Sequence, residues 1–521
     1  MKVDSRALQQ VYAQFPSLKV NADKGALEAA ATKVLGAEGA KALLATLADK
    51  DTYLATRSAA LDALLKAPEG AALQQPKRAV VSGLSAGGLL SAAVLAKAGY
   101  QVDAVELREG YTRQMQFSSR QALVDELSSI DPKLADKFLE IAGHLTKGFV
   151  STLNGSQRII ARDEPLTGDP TRVPRTGEQM LSDVPIMLVE CRCFEQVLFD
   201  WLKEQPNVRV HSNMQISLSE PDEQGRYSVS VAPRKGGTAV ALGTPDLVVV
   251  SEGANSATRK ALGIETAATS PEERIIGGVV GASSGGRAAL KYDDTKRDDG
   301  STERILSMAL GSAKSDKTWV LVEAPQSELF DPGPELDPTS PEYREAQQEL
   351  IEKHFRSEAA LVMEQDVSDA TLEGPMVGTR PTLFTLQQRM SSRATAGANV
   401  VGLGDFVGNA HFIVGGGMAT SAVSHVERLK DLVFDLEMGV DKGAAMSKYN
   451  QGALADTLAW GKRGIHEFYP DVDRKVIPEA YAKAVSEWLA GKNKDPLAAL
   501  EKLIAPVSEA MPPIGKPSSA A

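Results

Sequence analysis

What most constrains this chain is a strand that empties into a glycine-rich turn and then a helix. From Ala79 to Ala96, 18 residues, no acidic or basic side chain occurs. That length approaches what a membrane span needs, but Gly83, Gly87 and Gly88 crowd it together with Ser82 and Ser85. The pattern instead predicts a buried strand at Arg78–Ser82, a turn, and a buried helix over Ala86–Ala98 closed by Gly99. A second strand, Gln101–Glu106, then completes the opening of a parallel βαβ unit. A second uncharged stretch, Phe406 to Val426, is broken by Gly415, Gly416 and Gly417 and carries Asn409, His411 and His425, so it too fails as a span.

Composition narrows the class. With 521 residues, the chain amounts to about three and a half domains of roughly 150 residues and can bury a large core. A hydrophobic fraction of 43% excludes a disordered protein, and 57 Lys+Arg against 68 Asp+Glu argues against a nucleic-acid binder with a broad basic face. Cys191 and Cys193 stand too close to bridge and read as reduced thiols. Met1–Phe15 lacks a continuous apolar run, so a cytoplasmic protein without a leader is expected.

The first 75 residues, rich in Ala, Leu and Lys, predict two or three short helices ending at Gln74–Pro76. Beyond the βαβ opening, Ser118–Phe138 reads as helix, and Cys193–Glu204 as a helix leading into a strand at Val208–His211. Gln215–Leu218, Tyr227–Ala232 and Thr238–Leu242 alternate as an antiparallel meander. Leu247–Ser251 is an unbroken apolar run suited to a buried parallel strand. Ile275–Val280, Ile305–Leu310 and Trp319–Glu323 predict a second, antiparallel sheet, followed by a long helix at Pro341–Met363 and a strand at Leu383–Gln388. Val400–Gly402 returns to the parallel sheet, and the rest is helical up to a tail, Pro512–Ala521, expected to be disordered.

Three strand ends carry the chemistry. In Gly83-Leu84-Ser85-Ala86-Gly87-Gly88, a turn of this kind uses one glycine for tight geometry, a small residue where backbone meets a pyrophosphate, and another glycine for close helix packing. Glu106 ends the next strand, where an acid accepts hydrogen bonds from a ribose and favours FAD or NAD over a phosphorylated ribose. The second strand end runs from Leu247 through Glu252-Gly253-Ala254-Asn255 to Arg259. In the third, Gly404-Asp405 offers a carboxylate to a polyol, and the amides of Gly416–Ala419 offer a helix N-terminus to a negatively charged ring edge.

Taken together, these residues resemble the FAD-dependent class A aromatic hydroxylases of the para-hydroxybenzoate hydroxylase fold, over roughly Arg78 to Leu436. The family's fingerprint matches Gly83, Ser85, Ala86, Gly87 and Gly88, and its ribose acid matches Glu106. Its Asp-Gly motif matches Glu252-Gly253, its Gly-Asp motif matches Gly404-Asp405, and its flavin-edge Gly-x-Gly matches Gly415 and Gly417, beside Met418. Its helix-start pattern matches Val189–Val197 loosely, with Arg192 as the FAD contact. Around Glu106-Leu107-Arg108 and Tyr111-Thr112-Arg113 the chain also resembles the MICAL monooxygenase domain, which implies that Arg108, Arg113 and Arg120 neutralise the FAD pyrophosphate.

What the resemblance implies is an α/β chain. A Rossmann-like FAD-binding domain of the glutathione reductase type is built from residues 76–265 and 396–436, with an antiparallel-sheet substrate domain, 266–395, inserted between them. Helical extensions, 1–75 and 437–521, flank both. Four departures stand out: Ser85 for glycine, Glu252 for aspartate, Ala419 for asparagine, and His411-Phe412 where the family has a Pro-Pro pair. His411 is the candidate catalytic residue, since imidazole as a side-chain type is suited to moving protons near neutral pH, or else a ring packed against the flavin with no catalytic part. Phe412 and Trp319 are the candidate substrate contacts, and no metal site is expected.

In that family NADPH or NADH reduces the FAD, O₂ adds to give a C4a-hydroperoxide, and oxygen passes to the substrate. An aromatic or apolar small molecule, hydroxylated or epoxidised, is therefore expected here; a homodimer is admitted but no residue demands it. Two other readings stay open, another FAD-dependent oxidase or reductase of this fold and a non-enzymatic FAD-fold binding protein. A flavin halogenase is not expected, because such enzymes usually carry Trp-x-Trp-x-Ile-Pro and Trp201, Trp319, Trp460 and Trp488 are isolated from one another.

Overall fold

A computed structural model describes residues 11, 24–46, 77–153, 156–161, 186–296, 302–324, 330–411, 416–437, 440–468 and 476–508. The chain is mixed α/β, with parallel and antiparallel sheets, as the sequence predicts. Arg78–Ser82 lies at the centre of a six-stranded sheet, flanked in parallel by Gln101–Glu106 and Leu247–Val250. Val208–Ser212 and Val400–Gly402 extend it in parallel on either side, and Thr395–Ala396 closes one edge antiparallel. Residues such as Val80, Val81, Val248 and Val249 are fully buried, as strands covered on both faces must be.

The Ala86–Lys97 helix is buried from Ala86 to Ala96, which explains why its sequence has no polar stripe. It packs between the sheet, the Cys191–Lys203 helix and the Val426–Glu437 helix. The 214–243 region forms the expected three-stranded meander.

An eight-stranded sheet is built around Glu273–Val280, with Thr318–Glu323, Thr302–Leu310 and Ala288–Lys296 following antiparallel on one side and Thr382–Leu386 on the other. Period-two alternation gives it two different faces. Ile276, Val280, Ala309, Val320 and Val322 pack against Ile351, Phe355, Ala359 and Val362 of the Pro341–Met363 helix. The Ile, Val and Phe side chains among them contribute about 1.5–3 kcal/mol each when fully buried. The alternate positions, Met308, Leu310, Trp319 and Leu321, face a cavity.

Two elements differ from the sequence expectation. Ser118–Phe138 is not one helix: Gln116–Arg120 is a strand paired antiparallel with Ile186–Glu190, followed by helices Gln121–Ile130 and Pro132–Ile141. The second helix starts afresh because Pro132 cannot continue the first, and the Asp131 side chain accepts a hydrogen bond from the Lys133 amide as its N-cap. In addition, Phe149–Leu153, which falls in the 76–265 division, pairs parallel onto Ala288–Lys296, and Ser156–Ala161 pairs antiparallel with Phe149–Leu153, so that both extend the eight-stranded sheet.

Of the N-terminal helices, Lys24–Thr46 is described and is broken at Gly36 (φ 72°). The tail Pro512–Ala521 lies outside the described residues. Among the described residues no helix is long and apolar enough to cross a membrane.

Candidate cofactor and substrate site

The three strand ends converge. Gly83 adopts φ +85°, and a Cβ there would come 2.4 Å from the Ser251 carbonyl oxygen, so only glycine lets the first turn lie against the second. A Cβ on Gly88 would come 1.9 Å from the Gly83 carbonyl oxygen, which fixes the helix directly upon the turn. Gly87 and Gly404 both abut Ser421, bringing the third strand end against the same helix start.

Glu106 ties the turn to its neighbouring strand. Its Oε2 accepts from the Leu84 amide at 2.8 Å, while Oε1 accepts from Arg108 N and Nε, each at 2.9 Å. Burial alone would raise the Glu106 carboxyl, but the hydrogen bonds and charge of Arg108 hold it below its usual range. Arg108 Nη2 also donates to Oε2, at 3.2 Å, so the roughly four acceptor positions of the carboxylate are all taken, and a ribose hydroxyl would need the place of one Arg108 guanidinium bond.

Glu252 is turned inward. Its oxygens accept from Ser82 Oγ (2.7 Å), Ser256 Oγ (2.6 Å) and Thr258 Oγ1 (2.7 Å), which staples the second turn to the first strand. Arg259 reaches from the same turn to the carbonyl oxygens of Asp405 (3.1 Å), Phe406 (3.0 Å) and Ala254, and so joins the second turn to the third. His425, in a π-helical turn at Thr420–His425, accepts the Gly404 amide on Nδ1 at 2.9 Å. Such turns inside α-helices are frequent at functional sites.

All three ends open on one cavity of about 720 Å³. One end is lined by Gly83, Ser85, Ala86, Gly87, Glu106, Leu107, Arg108, Arg113, Gly253, Asp405, Gly417 and Met418, all sequence-expected residues. Gly88 packs behind the turn instead, and Arg192 does not reach the wall because its guanidinium pairs with Glu190, two residues before it. Arg120 contributes its backbone to a strand, its side chain lying outside the described residues together with Gly415 and Phe412. Asp405 is half-buried at the wall; desolvation raises its carboxyl, against the charges of Arg113 and Arg259.

The other end is apolar, lined by Trp319 with Met308, Leu310, Leu321, Phe384 and Leu386 from the inner face of the antiparallel sheet. Gly277 makes this packing possible, since a Cβ there would meet the Phe384 ring at 2.9 Å and the Trp319 ring at 3.0 Å. Into this wall is set one polar pair: His411 Nε2 lies 2.7 Å from Glu273 Oε2. The His411 amide donates to Gln388 Oε1 at 3.2 Å, and the Lys442–Phe468 helix lies close behind: a Cβ added at Gly464 would come 2.8 Å from His411 Cβ.

Sequence reasoning missed Glu273, Gln388, Ser421, Cys191 and Glu195. Cys191 lines the cavity, but burial pushes its thiol up to about 12, so it is not a nucleophile at neutral pH. Among the described residues no His/Cys/Asp/Glu group could hold a metal.

The residues fit a dinucleotide. The glycine cradle admits no side chain, two arginines stand at its polar end, and buried Arg113 Nε has no hydrogen-bond partner within the protein. No protein-family model matches the chain, and no curated protein matches it. Solved structures do: the fold is that of the FAD-dependent class A monooxygenases. Among them, p-nitrophenol 4-monooxygenase from Pseudomonas putida is 16% identical across 84% of this chain and 94% of its own, with a TM-score of 0.54. A probable FAD-dependent monooxygenase from Pseudomonas aeruginosa is 17% identical across 82% and 99%, with a TM-score of 0.51. A rebeccamycin biosynthetic enzyme in substrate-free form reaches 16%, 85%, 77% and 0.50 on the same measures. At such identities the likeness is one of fold.

Proposed function

We propose that this chain is an FAD-dependent monooxygenase that uses NADPH or NADH and O₂ to hydroxylate or epoxidise an aromatic or apolar small molecule. The observation that carries this reading is the single cavity, glycine-lined and cationic at one end, apolar with one buried His–Glu pair at the other. In this reading the parallel sheet carries the cofactor and the antiparallel sheet the substrate.

Arg108 and Arg113 bind the pyrophosphate as paired donors, and Glu106 accepts from the ribose. Asp405 accepts from the ribityl chain, beside Gly253, Gly417 and Met418. FAD held there would supply the redox chemistry that activates O₂, with the electrons drawn from NADPH or NADH. The apolar face of Trp319, Met308, Leu310, Leu321 and Phe384 holds the substrate and excludes water. His411, oriented by Glu273, accepts or returns a proton at the substrate.

The test is direct. The purified chain, reconstituted with FAD, is expected to turn yellow and to consume NADPH or NADH faster when the right aromatic compound is added, with product mass raised by one oxygen atom. A chain that stays colourless after reconstitution sinks the reading, and a product oxidised without oxygen gain replaces the monooxygenase with an oxidase.

A further inference from the structure

Glu195 lies on the Cys191–Lys203 helix with its side chain 1% exposed, in an ion pair with Arg113. The pair is incomplete on both sides: Glu195 Oε2 and Arg113 Nε are buried with no hydrogen-bond partner. The other ionisable groups acting on Glu195 are Arg108, Glu106, Tyr111 and Cys191. Burial holds Tyr111 and Cys191 in their neutral forms, so two cations and one anion set the local field. Asp405 faces Arg113 from the third strand end.

We propose that Glu195 serves Arg113 as an internal anion which the cofactor pyrophosphate displaces, and that Glu195 takes up a proton from solvent as FAD binds. This rests on the FAD reading above. A pyrophosphate diester brings two negative charges to the two guanidinium groups at the polar end, and a guanidinium fork matches phosphate oxygens in pairs. Once Arg113 turns to the phosphate, the Glu195 carboxylate has lost its cation and gained anions, in a place water does not reach. An isolated buried charge is too costly to keep, so the group neutralises. One O–H bond forms on Glu195, the proton comes from water or buffer, and no other bond changes. Burial already raises the Glu195 carboxyl, and Arg113 and Arg108 oppose it, so diverting them removes the restraint. Glu106 behaves differently because the Leu84 amide and Arg108 backbone N–H stay with it.

The consequence is that FAD affinity rises as pH falls, by up to about tenfold per unit across the interval between the free and bound values of Glu195. Titrating the full-length apoprotein with FAD by calorimetry, in buffers of different ionisation heat, reads the proton directly. The expected result is a net uptake approaching about one proton per FAD at mildly acidic pH. Glu195→Gln should abolish the uptake, flatten the pH dependence and tighten FAD binding near neutrality, while Asp405→Asn should keep the uptake. FAD binding by the wild-type chain with no proton uptake overturns the proposal without a variant. Uptake unchanged in Glu195→Gln, or lost only in Asp405→Asn, overturns it as well. No FAD binding at all overturns the cofactor reading and this inference together.

Discussion

His411 Nε2 stands 2.7 Å from Glu273 Oε2, with the two side chains 3% and 4% exposed, although 138 residues separate them in the chain. A carboxylate in that position holds the imidazole in one orientation and decides which nitrogen carries the proton. If His411 moves a proton at the substrate, His411→Gln should lower product formation by about 10²–10⁴-fold and leave bound FAD unchanged. Glu273→Gln keeps a hydrogen bond but loses the charge, so its loss should be smaller. Product assayed beside the flavin spectrum separates the two effects, and wild-type turnover in both variants would remove the pair from the chemistry.

Two adjacent glycines should respond differently to one methyl group. At Gly88 the added Cβ would lie 1.9 Å from the Gly83 carbonyl oxygen, and backbone cannot step aside without opening the turn. At Gly87 the nearest atom is Ser421 Oγ at 2.0 Å, a hydroxyl that rotates, and the fixed atoms behind it, the Ser421 carbonyl oxygen and Cβ, stand off at 3.1 and 3.2 Å. Gly88→Ala is therefore expected to cost on the order of 3 kcal/mol and most of the FAD affinity, Gly87→Ala about 1 kcal/mol. Ser421→Gly should recover part of the second loss and none of the first, as thermal unfolding of the wild type, the three single variants and the two double variants would record.

The contrast between Gly88 and Glu273 shows what a sequence can carry. Gly83, Gly87, Gly88 and Glu106 were legible because strand, turn and helix follow one another within a few residues, and local geometry dictates the side chains. The antiparallel sheet was legible too, since Met308/Leu310 and Trp319/Leu321 alternate with the residues that meet the Pro341–Met363 helix. Glu273 and Gln388 were not, because each acquires its partner only when distant segments meet, and an acid at the start of a strand looks like a solvated end. Arg192 was misleading for the opposite reason: the helix start around it was recognised, but Glu190, two residues away, claims its guanidinium. The helix read across Ser118–Phe138 failed because strand pairing of Gln116–Arg120 with Ile186–Glu190 overrides local propensity.

Glu252 takes the place of the family's aspartate, and its longer side chain is spent inside the protein. It accepts from three hydroxyls, Ser82, Ser256 and Thr258, and from the Thr258 amide at 3.2 Å. Glu252→Ala would leave those donors without their shared acceptor, at a cost of roughly 2–4 kcal/mol. Glu252→Asp should be nearly as harmful, because the shorter acid cannot span from Ser82 to Thr258. Chemical unfolding of both variants checks this; a stable Glu252→Asp chain would mean the staple is dispensable.

His425 makes stability depend on pH in a known direction. Burial holds its imidazole down to about 4, and the neutral ring is the form that accepts the Gly404 amide on Nδ1. The unfolded chain protonates this histidine near 6.5, so between about 6.5 and 4 the unfolded state binds the extra proton. Stability from this group is complete above about 6.5 and falls as pH drops, by about 3 kcal/mol once pH 4 is reached. Glu195 and Asp405, whose carboxyls are raised, act in the opposite sense at lower pH, while the lowered carboxyls of Glu106 and Asp103 act in the same sense, so the wild-type curve mixes several groups. His425→Gln offers an uncharged acceptor to Gly404 and cannot titrate. The difference in unfolding free energy between wild type and His425→Gln should therefore shrink from neutral pH towards pH 4, and a difference that stays constant would show that the ring is not held neutral by the fold.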